Sequence, residues 1–308
     1  MLKVRRTTIL LYLLPMFAML AVVSLWPIGY TLYLSFTNYT LFNSDNYKLI
    51  GGENYQKLLL GGDSDLYFVI GQTVLYVVLC VGLFLIVGMV TALALNNPRV
   101  KGQGFWRVAL LVPWAVPTAI TALIWRFLVN DDFGPINQIG RIFFGPKFGI
   151  PWLSSNWGTF AAVVIVNVWM SYPFFTTVIL GALQSVPREL YEAANVDGAG
   201  PWQRFRRITL PLVQPAILPA TVLSAITTFQ MFNTAFLINK GGPFVSADKP
   251  GFTEFVMIYM YNRILGTNAA NPHYALVAAF SIMLFIILAA MTFLAQYLTQ
   301  PRGKESMA

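Results

Sequence analysis

Six long stretches of this 308-residue chain contain no Asp, Glu, Lys or Arg at all. Each is at least 18 residues long, and about 20 apolar residues in a helix, rising 1.5 Å per residue, cross the ~30 Å hydrocarbon core of a membrane. The stretches are residues 9–36, 68–95, 108–125, 157–183, 212–238 and 274–298. This pattern predicts an all-α integral membrane protein with six transmembrane helices.

The placement of the charges predicts the orientation of the chain in the membrane. Charged residues make up 10% of the chain, whereas soluble domains carry roughly a quarter. Six spans place both termini on one side, and the short segments on that side hold 12 of the 20 basic residues. These are Lys3, Arg5, Arg6, Arg99, Lys101, Arg107, Arg188, Arg204, Arg206, Arg207, Arg302 and Lys304. Because cytoplasmic loops are enriched in Lys and Arg, we expect both termini in the cytoplasm, and we assign the net charge of +8 to topology rather than to nucleic-acid binding.

The spans divide the chain into three predicted parts. Residues 1–66 hold the first span and the first external loop, residues 67–298 form a core of five spans, and residues 299–308 form a cytoplasmic tail. The first apolar run is much longer than the 7–15 residues of a signal-peptide core, so we expect it to remain as an uncleaved span.

Three local features refine this arrangement. Pro113 and Pro117 predict a kink in the third span, because proline removes a backbone hydrogen bond from a helix. Residues 54–60 are expected to form a short amphipathic helix in the first external loop. The single cysteine, Cys80, lies in the second span and excludes an intrachain disulfide.

The predicted spans lack the ionisable groups that proton- and ion-coupled transporters usually need. They contain no carboxylate, lysine or histidine for a proton or cation relay, and the only histidine, His273, sits at a span edge. Backbone carbonyls at a broken helix can still bind sodium, so an ion-driven carrier or a passive channel stays open at this point. The sequence holds no phosphate-binding loop, no metal-ligand cluster and no catalytic constellation, which argues against an intramembrane enzyme.

Uncharged polar side chains do occur within the spans. The fourth span carries Asn167 and Ser171, and the fifth carries Ser224, Thr227 and Thr228. In a continuous helix the last three share one face with Met231, because they are spaced i, i+3, i+4 and i+7. Such groups form interhelical hydrogen bonds of about 0.6 kcal/mol each. Together they also suit a neutral, polyhydroxylated solute such as a sugar.

The predicted cytoplasmic segment 184–211 reads QSVPRELYEAANVDGAGPWQRFRRITLP. Pro187 is acceptable at the start of a helix, the acidic residues favour its N-terminal half, and Gly198 is a stop signal. The segment therefore predicts a helix of about ten residues with Leu190, Tyr191 and Ala194 as an apolar stripe. A helix this short is not stable alone, so it requires support from the bundle and a groove in a partner.

Glu192-Ala193-Ala194, Gly198 and Ile208-x-Leu210-Pro211 reproduce the EAA-x3-G-x9-I-x-LP signature of ABC importer permeases at every position. The chain is similar over nearly its whole length to the carbohydrate permeases of the maltose and glycerol-phosphate type. This resemblance implies a type-I ABC permease bundle in a bacterial or archaeal cytoplasmic membrane.

The resemblance also implies partners. These are a second, distinct permease, a pair of ATPase subunits that bind ATP and Mg²⁺, and an external solute-binding protein; the chain itself would hold no cofactor or metal and catalyse no reaction. The coupling residues it implies are Glu189, Leu190, Tyr191, Glu192, Ala193, Ala194, Asp197 and Gly198.

By the same resemblance, the sugar site is expected between the fourth and fifth spans. The residues that the resemblance assigns to it are Ser171, Phe174, Ser224, Thr227, Thr228 and Met231, and we add Asn167 as a polar residue of the fourth span. Threonine and methionine replace asparagines and aromatic residues of the maltose permeases, so the expected solute is a sugar in general. Oligosaccharides such as maltodextrin or trehalose, and glycerol-phosphate-like solutes, fit this expectation.

Overall fold

The computed structural model describes residues 6–60, 64–246, 249–265 and 273–299, and these contain fourteen α-helices and no β-strand. The helices are α1 Arg6–Leu20, α2 Trp26–Ser35, α3 Glu53–Leu60, α4 Ser64–Asn96, α5 Gln103–Ala115, α6 Thr118–Leu128, α7 Pro135–Phe144, α8 Asn156–Gln184, α9 Arg188–Val196, α10 Pro201–Arg204, α11 Leu210–Phe229, α12 Asn233–Asn239, α13 Val256–Leu265 and α14 Tyr274–Thr299. The predicted all-α class is confirmed.

Five continuous helical segments are long and apolar enough to cross a membrane. They are Leu10–Ser35, Asp65–Asn96, Asn156–Gln184, Pro201–Phe229 and Tyr274–Phe293. The first joins α1 to α2 through a π-helical turn, and the fourth joins α10 to α11 through another. Nearly every large apolar side chain of the first segment is exposed, as expected of a helix that faces lipid, whereas most of those on Asn156–Gln184 are buried.

The third apolar stretch bends more sharply than the kinked span that we predicted. It consists of α5 and α6, whose axes meet at 92°, and it makes a sixth span only if the bent pair counts as one. Val116 and Pro117 both have extended backbone, with ψ of 132°. Proline disfavours the helical conformation in the residue before it, which explains why the helix ends here.

The chain forms two compact units. The first unit comprises Met1–Leu66 and Met260–Ala289, and the second comprises Tyr67–Tyr259 and Ala290–Ala308.

In the first unit, Asn54 ties α3 to the end of α2. Its buried side-chain amide donates to the carbonyl oxygens of Ser35 at 2.9 Å and Thr37 at 2.7 Å, and the Tyr55 hydroxyl donates to Ser35 Oγ at 2.7 Å. The helix predicted over residues 54–60 is therefore present as α3 and is held by side-chain bonds.

In the second unit, α4 and α8 approach closely at Gly88. A Cβ atom placed there would lie 2.5 Å from Phe175 Cβ, so only glycine fits this crossing. One turn later the hydroxyl groups of Thr91 and Thr176 are 2.6 Å apart and share a hydrogen bond between the two helices. The ring of Phe84 packs against Phe175 at 5.9 Å. Helices α5, α6 and α11 pack against the same α8, which makes α8 the centre of this unit.

Candidate coupling helix and solute site

The short helix predicted in segment 184–211 is α9, and its limits follow the predicted signals. Pro187 precedes it with extended backbone, at φ −59° and ψ 133°. At the other end Gly198 takes φ +75°, a left-handed conformation that costs other residues about 1 kcal/mol. This turn lets the Ala199 N–H donate to the Ala194 carbonyl at 2.9 Å and closes the last turn of the helix.

Side-chain bonds fasten α9 to the chain that follows it. The hydroxyls of Tyr191 and Thr209 lie 3.0 Å apart, and Thr209 itself is buried. The Arg204 guanidinium donates to Asn195 Oδ1. These contacts supply the support that an isolated nine-residue helix lacks.

The predicted apolar stripe is divided between two directions. Tyr191 and Ala194 are half-buried against the rest of the chain, whereas Leu190 is 43% exposed. Glu189, Glu192 and Ala193 are exposed as well. Tyr191, beside the signature, therefore holds α9 in place, while Glu192 and Ala193 of the signature lie on its exposed face.

Exposed apolar side chains continue beyond the signature. Val196, at the end of α9, is 89% exposed, and Trp202 in α10 is 70% exposed. Trp202 stacks on Phe205 with ring centroids 5.5 Å apart, which fixes its orientation. We did not single out these residues from the sequence, although a tryptophan beside three arginines in a short loop was a usable signal.

On α8, the residues assigned to the solute differ in accessibility. Asn167 is buried, and its Oδ1 lies 3.5 Å from Ser171 Oγ one turn away. Ser171 and Phe174 are half-buried, and the Phe174 ring lies 6.5 Å from Trp114 of α5. Of the three assigned α8 residues, Ser171 and Phe174 are therefore partly accessible, whereas Asn167 is not.

On α11, the predicted single helical face is wrong in one respect. The helix ends at Phe229, so Met231 lies in a break of three residues before α12 instead of on the next turn. Ser224 and Thr228 are buried, whereas Thr227 is exposed and donates to the carbonyls of Leu223 and Ser224, both at 3.1 Å. The predicted set thus comprises a buried pair, an exposed threonine and a methionine at a broken helix.

Tyr76 of α4 is a further residue of this region, and our reading of the sequence missed it. Its hydroxyl donates to the sulfur of Met231 at 3.1 Å, and Asn167 lies beside it. A tyrosine in the middle of an apolar span was the available signal, because a buried hydroxyl needs a hydrogen-bond partner.

This architecture defines a class of protein: a helical membrane permease with a short, tethered helix displayed between two of its spans. The sequence model described as "Binding-protein-dependent transport system inner membrane component" matches residues 84–302. The chain belongs to this family, and the predicted family is confirmed.

Relatives with named functions are sugar transport permeases. The maltodextrin transport system permease protein of Bacillus subtilis is 31% identical over 96% of this chain and 70% of its own length. The trehalose/maltose transport system permease protein of Thermococcus litoralis is 32% identical over 92% and 90%. The galactooligosaccharides transport system permease protein of Bacillus subtilis is 33% identical over 85% and 63%.

Solved structures share the fold. A crystal structure of a bacterial alginate ABC transporter in complex with an alginate-pentasaccharide-bound periplasmic protein includes a chain with a TM-score of 0.75. The two chains are 20% identical, with coverage of 95% of this chain and 94% of that one. A second crystal structure of a bacterial alginate importer gives a TM-score of 0.71, 20% identity and 96% coverage of both chains.

Proposed function

We propose that this chain is the sugar-translocating permease subunit of a binding-protein-dependent ABC importer. Its solute is an oligosaccharide such as maltodextrin or trehalose, or a glycerol-phosphate-like molecule. The names of the relatives support a sugar, and so do the hydroxyl and amide side chains of α8 and α11. A second, distinct permease, two ATPase subunits and an external solute-binding protein complete the transporter.

The observation that carries this proposal is the construction of α9. Side chains tether the helix on one side, while Glu192 and Ala193 stay exposed on the other. Alanine allows another surface to approach closely, and the carboxylate of Glu192 offers a charge-assisted hydrogen bond to a basic group of that surface. This combination fits a helix that sits in a cleft of an ATPase subunit and transmits its movement.

The mechanism is alternating access. ATP and Mg²⁺, bound by the ATPase pair, draw the two coupling helices together, and the attached spans turn the solute site from the inside to the outside. This cycle can do work because the assembly prefers one conformation when nucleotide is bound and another when it is not. The basic residues around α9 support a cytoplasmic location for this helix and for both termini.

The solute site lies on α8 and α11 in this proposal. Ser171, Phe174, Thr227 and Met231 supply its accessible surface, and Asn167, Ser224 and Thr228 form a buried polar layer. None of the seven is charged, which favours a neutral oligosaccharide over an anionic glycerol-phosphate-like molecule. The aromatic ring of Phe174 offers an apolar surface for the carbon face of a pyranose.

Reconstitution with single components left out tests the proposal. Proteoliposomes that contain the chain, the second permease and the ATPase receive the solute-binding protein and a panel of labelled sugars. We expect uptake only when all components and ATP are present, and for a restricted set of sugars. Uptake that persists without the ATPase identifies a channel or an ion-driven carrier and overturns the assignment.

A further inference from the structure

Tyr76 is a fully buried residue of α4 that is enclosed by aromatic rings. Its ring stacks on Phe255 with centroids 4.3 Å apart, and the edge of Phe160 approaches at 6.2 Å. One turn earlier on α4, the buried Thr73 hydroxyl accepts a hydrogen bond of 3.0 Å from the Val256 N–H. The segment around Phe255 is thus held against α4 at two points, one of them the Tyr76 ring.

The Tyr76 hydroxyl is aimed at the break between α11 and α12. It donates to Met231 Sδ at 3.1 Å. Met231 is half-buried and follows the last turn of α11, where its N–H donates to the Thr228 carbonyl at 3.1 Å. Because thioether sulfur is a weak acceptor, this hydrogen bond contributes more to the orientation of Met231 than to the stability of the protein.

Asn167 completes the cluster from α8. It is 1% exposed and lies beside the Tyr76 hydroxyl and the Cys80 thiol. Its Oδ1 accepts a hydrogen bond from the Ser171 hydroxyl at 3.5 Å. Asn167 therefore connects the Tyr76 hydroxyl of α4 with Ser171 of α8.

We propose that Tyr76 is a positioning residue that sets which sugars the permease accepts. Its hydroxyl fixes Met231 at the helix break, and it borders Asn167, which leads to Ser171. It thereby holds the two walls of the site, on α8 and on the α11–α12 break, at a defined separation. This inference rests on the proposed function and adds a residue of α4 that faces no solute itself.

The test compares variants that remove one atom or one acceptor each. Tyr76→Phe removes the hydroxyl and keeps the ring, Met231→Leu removes the sulfur and keeps most of the volume, and the double variant removes both. Tyr172→Phe on α8, where the tyrosine is half-buried, is the matched control. Each is assembled into the full transporter and assayed for sugar uptake with the binding protein, at several concentrations and with sugars of different length.

A hydrogen bond of about 0.5–1.5 kcal/mol corresponds to a change in affinity of about 2- to 13-fold. We therefore expect Tyr76→Phe to raise the KM by about that factor, with a smaller effect on maximal uptake, and to change the ratio of KM values between short and long sugars. Met231→Leu is expected to do the same, and the double variant to resemble the stronger single variant, because both changes break one contact.

Two results overturn the inference. One is a Tyr76→Phe transporter whose KM values and sugar preference match those of Tyr172→Phe. The other is a pair of single variants whose effects add fully in the double variant. If a variant fails to assemble, the other single change still tests the same contact from the opposite side. The proposed function fails separately, when the wild-type transporter takes up no sugar or needs no ATPase.

Discussion

Replacing Gly88 by alanine tests the packing that organises the second unit. Gly88 of α4 faces α8, where the added methyl group would lie 2.5 Å from Phe175 Cβ and 3.1 Å from the Thr176 nitrogen. Ordinary van der Waals contact begins at 3.4 Å, so the two helices must separate by about 0.9 Å at this point. Two of the obstructing atoms belong to the backbone of α8, and a side-chain rotation therefore cannot remove the clash.

The expected cost follows from this geometry. Overpacking a tight core by one carbon costs about 1–3 kcal/mol. The separation also weakens the bond between Thr91 and Thr176, and such bonds in membrane proteins average about 0.6 kcal/mol. Alanine regains up to about 1 kcal/mol of helix propensity over glycine. The net expectation is a loss of about 1–3 kcal/mol.

Gly82 is the matched control, because it lies on the same helix and a Cβ atom there meets nothing within 4 Å. The only cysteine, Cys80, is buried in this helix and serves as the reporter, since a thiol-reactive fluorophore labels it only after unfolding. On heating the purified chain in detergent, we expect Gly88→Ala to react at a midpoint roughly 4–8 °C below that of Gly82→Ala, from about 2 kcal/mol of difference. Equal midpoints would refute the close α4–α8 contact.

Two further predictions concern α9. Gly198→Ala must place a side chain at φ +75°, so we expect ATP-driven uptake to fall up to about fivefold, whereas Gly200→Ala, at φ −67° with open space around its Cβ position, is expected to transport normally. Glu192→Lys is expected to insert and receive sugar normally but to hydrolyse ATP without import, whereas Asp45→Lys, an equal charge change in an exposed loop, is expected to import normally. Full import by Glu192→Lys, or equal defects in the two glycine variants, would contradict the coupling role of α9.

Local signals in the sequence predicted the elements whose ends depend on single residues. Both limits of α9 follow from Pro187 and Gly198, since each restricts the backbone wherever it occurs. The spans followed from the absence of charge, because the cost of burying a charge in lipid applies along the whole stretch.

Features that depend on distant contacts were not predictable in this way. Pro113 and Pro117 signalled a kink, but the 92° angle between α5 and α6 depends on how α6 packs on α12 and α8. No proline or glycine near Phe229 signals the end of α11. We therefore predicted Met231 on a helical face that does not extend that far.

The proposed solute site depends both on local sequence signals and on distant contacts. Residue type singled out Asn167, Ser171, Ser224, Thr227 and Thr228, because polar side chains are rare in apolar spans. Their different burial depends on the angle at which each helix presents them to its neighbours. Tyr76 was not singled out because its hydrogen-bond partner, Met231, is 155 residues away in the chain, and the sequence does not show that the two residues meet.

The most direct test of the central claim is the number of sugar molecules imported per ATP hydrolysed by the purified, reconstituted wild-type transporter. The account predicts that sugar accumulates inside the vesicles against its gradient, in a fixed ratio to ATP hydrolysis, and that a non-hydrolysable ATP analogue stops import. Import at the same rate with the analogue, or equilibration without accumulation, would contradict it.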